Sequence, residues 1–446
     1  MTTTDVKATE EDATGAGDER TKDAVGGAAG VAPVAAQRSL ADAPHPGAGT
    51  RDDVTENDVT LPAGDEKAAS ARTRAGRLQS FEVADFSRPT SKEEEWRFTP
   101  LRVLAPLFED APTDDRPDDP AIDYQVDLPD DVPAAQALAP GQAPRGTALV
   151  PEDIIAAVAS ARTEQALHLR TAPNTEASGP LRVTMTGNGT ERRGNAHLVL
   201  ETGTSSTGTF VLDHTGSARM AENVEAIVGD NSQMTLISLQ NWDDDALHVS
   251  THHARLGRDA KLKHIVVSLG GRAVRVNVTG ELAEPGSEIE ALGLYFSDAD
   301  QYLEHRLFID HAAPNCTSDS AYKGALQGKG ARSVWVGDVL IRKVAEGTST
   351  YEMNRNLVLT EGARADSVPN LEIETGEIEG AGHAAATGRF DDEQLFYLRA
   401  RGIPELEARR LVVRGFFAEL IQKIDVPEIR EALSASIETE LARSMN

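Results

Sequence analysis

The chain holds a single cysteine, Cys316, in the segment HAAPNCTSDS. One thiol excludes a disulfide framework and any cysteine-rich zinc or iron-sulfur site built by this chain alone, and it fits a reducing cytoplasm. By residue type it reads as a buried small apolar side chain, with no catalytic dyad to assign to it. The histidines cluster: His248, His252 and His253 lie in LHVSTHHARL, His305 and His311 in LEHRLFIDHAAP, and His264 and His383 stand apart. On a strand, His248 and His252 face one side. A His-x-x-x-His spacing with no Glu-bearing helix after it reads as solvated or hydrogen-bonded strand histidines rather than as a metal set. Adjacent acids such as Asp243 and Asp244 read as a solvated face. Neither GALQGKGARS nor EGAGHAAATGRF has the form of a phosphate-binding loop, because Lys329 is followed by Gly330 and the second piece has no lysine. Nucleotide hydrolysis is therefore not expected of this chain itself.

The elements that position these groups change character along the chain. Residues 1–76 are rich in Ala, Gly, Thr, Asp and Glu, with almost no large apolar side chain before Leu40, and are expected to form a disordered acidic tail. Large side chains begin near Arg77 with Phe81, Phe86, Trp96, Phe98, Leu101, Leu104, Leu107 and Phe108, so residues 77–165 read as an N-terminal helical region. It includes an extended Asp- and Pro-rich connection from Glu109 to Pro140 and a helix opening at Pro151. From 166 to 388 short period-two alternations recur, among them Leu181, Val183 and Met185, then Val274, Val276 and Val278. Glycines at 216, 229, 257, 286, 347 and 362 are separated by 13, 28, 29, 61 and 15 residues. These gaps are near multiples of roughly 14, the length of one strand and one turn. Such spacing suits a solenoid of stacked rungs, and a sandwich or jelly roll equally. Residues 389–446 return to helical periodicity, with Gly402 as a stop, Pro404 as a start and Pro427 opening the last helix. These helices read as a cap over one end of the solenoid, as a docking surface, or as both.

Composition narrows the partners. Among 446 residues, 72 acidic side chains oppose 44 basic ones, a net charge of −28, which argues against nucleic acid because phosphate binding needs a basic footprint. No apolar span suggests a membrane, and the acidic amino terminus looks like neither a secretory signal nor a transit peptide.

Four segments together carry a resemblance: RPTSKEEEWRFTPL (Arg88 to Leu101), TSDSAYKGAL (Thr317 to Leu326), the block from Ser367 to Ile403, and the helix ending GFFAELIQKI. They resemble the SufB/SufD family, the non-ATPase subunits of the SufBCD iron-sulfur cluster assembly complex, over roughly residues 80 to 425. The chain is most similar to SufD, through its Trp-Arg-x-Thr-Pro form at Trp96 to Pro100 and its poverty in cysteine. The resemblance implies a mainly β fold, a right-handed parallel β-helix core flanked by helical N- and C-terminal regions. It implies a cytoplasmic scaffold that pairs with SufB as a heterodimer through the solenoid and carries the SufC ATPase on its C-terminal helices, here through Leu411, Phe416, Phe417 and Leu420. A homodimer is the other pairing open to the isolated chain. His383 matches the family histidine that faces a SufB cysteine, and so stands as a candidate interfacial ligand for iron or a transient cluster shared with SufB and not bound by this chain alone, or equally as a hydrogen-bonded interface histidine. Many SufD sequences have a cysteine where this chain has Ala381. The rival reading is a β-helix lyase or glycosidase, which needs paired acids and aromatic sugar platforms in a groove; the 4% aromatic content argues against it.

Overall fold

The computed structural model describes residues 76–443 apart from 117 and 391. The expected acidic tail thus lies outside the described residues, save for residue 76. The strands begin with β1 (Ile122–Asp127), β2 (Gln136–Leu138) and β3 (Ala166–Arg170), followed by two strands of 22 residues each, β4 (Leu181–Thr202) and β5 (Thr207–Val228). Next come β6 (Gln233–Trp242), β7 (Leu247–Leu256), β8 (Lys261–Ser268), β9 (Ala273–Leu282), β10 (Glu288–Ser297) and β11 (Tyr302–His311). The series closes with β12 (Thr317–Leu326), β13 (Arg332–Ile341), β14 (Ser349–Val358), β15 (Arg364–Ile373) and β16 (Gly380–Arg389). The order across the sheet is β15-β13-β11-β9-β7-β5-β6-β8-β10-β12-β14-β16. Odd strands therefore stack on one face and even strands on the other, every neighbour on this path parallel. This is a parallel β-solenoid, and it decides between the solenoid and the sandwich that spacing alone left open.

The rungs are held in step at one corner. Asn174, Ser205, Asn231, Asp259, Gly286, Asn315 and Gly347 all have φ between 51° and 77°. Only Gly and short polar side chains visit this left-handed region readily. Each donates its backbone N–H to a carbonyl of the next rung, 2.7–3.3 Å away, as in Asn231 to Arg258 and Asn315 to Glu346. The next residue in each turn is small: Thr175, Ser206, Ser232, Ala260, Ser287, Cys316 and Thr348. Cys316 thus takes a serine-like place, wholly buried, its Sγ 3.3 Å from Ser287 Oγ.

Both outer faces are covered, as a parallel sheet requires. On the odd-strand face, Trp96, Leu104, Leu107 and Phe108 pack over Ala273, Tyr302, Val334 and Val336. A buried ionic network pins them there. Arg275, stacked 4.0 Å from the Trp96 ring, reaches Glu304 at 3.1 Å and Glu95 at 2.7 Å, while Arg306 reaches Glu304 at 2.8 Å and Glu95 at 3.0 Å. Thr99 donates to Glu304 at 2.7 Å. Burial pushes the Glu304 carboxyl up, but Arg275 and Arg306 outweigh it and hold the group below its ordinary range. The Glu95–Trp96–Thr99 part of the family-like segment is thus the clamp that fixes the N-terminal region to the solenoid.

Two expectations for the flanks change. The N-terminal region contains one α-helix, α1 (Ile154–Arg162), and otherwise short 3₁₀ turns and extended chain. Its helix starts after Pro151 because Asp153 is the cap, accepting from Ile155 N and Ala156 N at 2.8 and 2.9 Å. The acidic connection is more than a linker, since β1 pairs antiparallel with β4 and β2 with β3. The C-terminal helices α2 (Asp392–Ala400), α3 (Glu405–Gln422) and α4 (Pro427–Arg443) do not cap an end. Val413, Phe417, Leu420, Ile429, Leu433 and Ile437 cover the even-strand face over Ile237, Ile265, Leu292 and Phe296. Removing one member of a buried ion network strands the other charges. Glu304→Ala is therefore expected to cost about 3–5 kcal/mol in urea unfolding, and a loss below about 1 kcal/mol contradicts the clamp.

Candidate functional site

Covering both outer faces still leaves the last parallel rung of the solenoid open. Among the described residues, β15 and β16 have no further neighbour, and most of their side chains are half-buried or exposed. His383 sits here. It lies on β16 directly beside Glu352 of β14, and that register continues down the solenoid through Ser320 and Ala291 to His264. All four of those residues are buried. His383 therefore belongs to an inward-facing column and is exposed because no rung lies above it.

Beneath the rim lies a polar network. Tyr295 donates to Asn356 at 2.6 Å, Asn354 donates to Tyr295 at 2.9 Å, and Asn356 donates to Asn354 at 2.7 Å and to Ser367 at 3.1 Å. Tyr295 and Tyr322 fit because their rings lie over Gly324 and Gly293 of adjacent rungs, where any Cβ would come within 1.9 Å of a ring atom. Glu352 lies beside this network without joining it. It is 1% exposed, and neither carboxylate oxygen has a hydrogen-bond partner. Burial, aided by Asp338, pushes its carboxyl up to about 8. The rim thus presents an accessible imidazole above an unsatisfied carboxyl, a donor set suited to a borderline cation such as ferrous iron.

The other candidates separate. His248, His252, His264, His305 and His311 are all buried inside the solenoid and hydrogen-bonded rather than solvated. His253 faces outward on β7, its Nδ1 3.4 Å from the Ala148 carbonyl. Asp243 and Asp244 are exposed, as expected. On α3, Phe417 and Leu420 are buried against the sheet, and Phe416 is half-buried against Phe417 and Lys323. Of the four proposed docking residues, Leu411 alone is exposed, at 37%. The apolar stripe on α3 holds the helix to the solenoid. The outward apolar surface of these helices is Phe396, Tyr397, Leu406 and Leu411, and helical periodicity did not separate it from the stripe that meets the solenoid. Glu352 was likewise missed in sequence, because one acid in an acidic chain carries no signal without its burial. All three tryptophans are buried, which removes the best sugar-stacking platforms from any groove.

Together these features define a sheathed parallel β-solenoid with an open rim. A family model for the SUF system FeS cluster assembly SufBD core domain matches residues 185–416. An iron-sulfur cluster assembly SufBD family protein of Mycobacterium tuberculosis is 48% identical over 379 residues, covering 83% of this chain and 94% of that protein. The iron-sulfur cluster assembly protein SufD of Escherichia coli is 29% identical over 224 residues, 50% of this chain and 52% of that protein. The chain belongs to the SufBD family and to iron-sulfur cluster assembly. No helix among the described residues is long and apolar enough to cross a membrane.

Glu352 gives a pH test with a definite sign. Its folded pKa lies above the ordinary 4.5, so the folded state keeps a proton that the unfolded chain releases. Stability then falls as pH rises from about 4.5 to about 8, by up to about 1.4 kcal/mol per pH unit. Glu352→Gln is expected to remove this slope, gaining on the wild type in urea midpoint at pH 8 but not at pH 4. An equal difference at both pH values contradicts it.

Proposed function

We propose that the chain is a non-catalytic scaffold subunit of a SufBCD-type complex, pairing with a SufB-type paralogue across the open rim and carrying a SufC-type ATPase on its C-terminal helices. The rim carries this reading: it offers two edges of ten residues each, and edges of that length invite another sheet. A paralogue with the same rung geometry can continue both sheets; a second copy of this chain is the alternative occupant. In support, Mycobacterium bovis has one SufBD family relative 48% identical to this chain and another 29% identical, so two members of the family coexist there. Such pairing brings His383 and Glu352 to a shared boundary. There they contribute imidazole and carboxylate to iron or a nascent cluster, carried as cargo, while thiolates come from the partner, because the sole Cys316 is locked in a buried corner. For the ATPase, the exposed Phe396, Tyr397, Leu406 and Leu411, with Arg401 stacked 4.5 Å from Tyr397, supply the aromatic and arginine anchors typical of interfaces.

His383→Ala is expected to lower the cluster recovered on the reconstituted complex without dissociating it; full cluster yield removes His383 from the ligand set. Phe396→Glu with Leu411→Glu is expected to release the ATPase in a pull-down, since neither residue supports the core, and unchanged recovery rejects that surface.

A further inference from the structure

The solenoid interior is not uniformly apolar. Between β5, β6 and β7, His214, Glu222 and His248 converge with one potential ligand atom each, all within 4.8 Å of one another, and all are at most 1% exposed. The neighbours constrain both rings. His214 Nδ1 lies 2.9 Å from the Leu239 carbonyl, which can only accept, so Nδ1 carries a hydrogen, and Nε2 faces Glu222 Oε1 at 3.1 Å. His248 Nδ1 lies 2.8 Å from Gln240 Oε1. Gln240 Nε2 donates to Ser238 at 2.8 Å, which sets the amide orientation. The same Oε1 accepts from Trp242 Nε1 at 3.2 Å, and that indole N–H also lies 3.1 Å from His248 Nδ1. With Nδ1 of His248 so engaged, its Nε2 has no hydrogen-bond partner and points at Glu222 Oε2, 3.4 Å away.

Two imidazole nitrogens thus face one buried carboxylate, where a proton or a metal ion can lie between the facing atoms. The separations of 3.1 and 3.4 Å match the edge of a coordination polyhedron with arms of about 2.0–2.1 Å. Metal-bound histidines characteristically give their second nitrogen's hydrogen to a carbonyl, the arrangement both rings have here. Ser250 donates a further hydrogen bond to Glu222 Oε2 at 2.5 Å, fixing the carboxylate. The neighbouring pair shows the contrast. His252 Nδ1 and His264 Nε2 pair at 2.9 Å, and His252 Nε2 pairs with Ser250 at 2.8 Å, so no acid is left facing these nitrogens.

We propose that His214, Glu222 and His248 form a resident site for a divalent first-row transition metal, zinc or ferrous iron, enclosed in the solenoid during folding. Two nitrogens and one oxygen suit either metal. The site is independent of the rim and of any partner, so its failure would leave the pairing at β15 and β16 untouched. Because it is closed, the test loads metal during folding: the full chain is refolded with cobalt(II), desalted, and read by metal analysis and by the visible d–d spectrum.

One tightly held cobalt per chain is expected, unchanged in His383→Ala and lost in His248→Gln and Glu222→Gln, whose circular dichroism reports whether they fold. X-ray absorption of the loaded wild type decides the matter even if those variants misfold, because it must find two imidazoles in the metal shell. A chain that takes up no cobalt, a shell without imidazole, or uptake unaltered in folded variants overturns the proposal; the first of these assigns the cation to a proton shared among the three side chains.

Discussion

A parallel rung cannot satisfy its own backbone. Its N–H and C=O groups must bond to the rung before and the rung after, so each rung needs two neighbours and the last one always lacks one. The rest of this molecule follows from that constraint. The left-handed column from Asn174 to Gly347 keeps the rungs in step by passing one backbone hydrogen bond per corner to the next rung. The two broad faces left by stacking are covered by separate parts of the chain, the Trp96 segment on one side and α3 and α4 on the other. What remains uncovered is the rim, where His383 stands at the mouth of an inward-facing column.

The same constraint explains where polar groups can be held. Aligned positions repeat from rung to rung, so side chains from well-separated parts of the sequence come to lie above one another. Tyr295, Asn354, Asn356 and Ser367 interlock in this way. His214 and Glu222 of β5 come together with His248 of β7. Inside this buried space a polar group is either paired, as His252 is through both ring nitrogens, or held in a state of unmet demand, like Glu352 and His248. Such unmet demand is costly in a folded protein and marks positions where a cation or a proton would be retained.

Much of the architecture was legible in the sequence. Period-two alternation located the strands, and the helix stops and starts at Gly402, Pro404 and Pro427 agree with the helices observed. Glycine spacing was less informative than it seemed, because the corner column uses Asn, Ser and Asp as freely as Gly, and the glycines counted come from more than one corner. Alternation also failed to tell inside from outside. A strand covered on both faces, such as β11 with all ten residues buried, has no polar side to mark it. The helix stripe of Phe417 and Leu420 was visible, but whether it met the solenoid or a partner was a question of tertiary packing.

The central claim is that the open rim is the surface on which this chain meets a paralogous subunit. Hydrogen exchange of the full chain, alone and mixed with a SufB-type paralogue, tests it most directly. The account predicts new protection of the backbone amides in Arg364–Ile373 and Gly380–Arg389, with the corner column from Asn174 to Gly347 unchanged. Stable complex formation that leaves those two strands exchanging as in the isolated chain would contradict it.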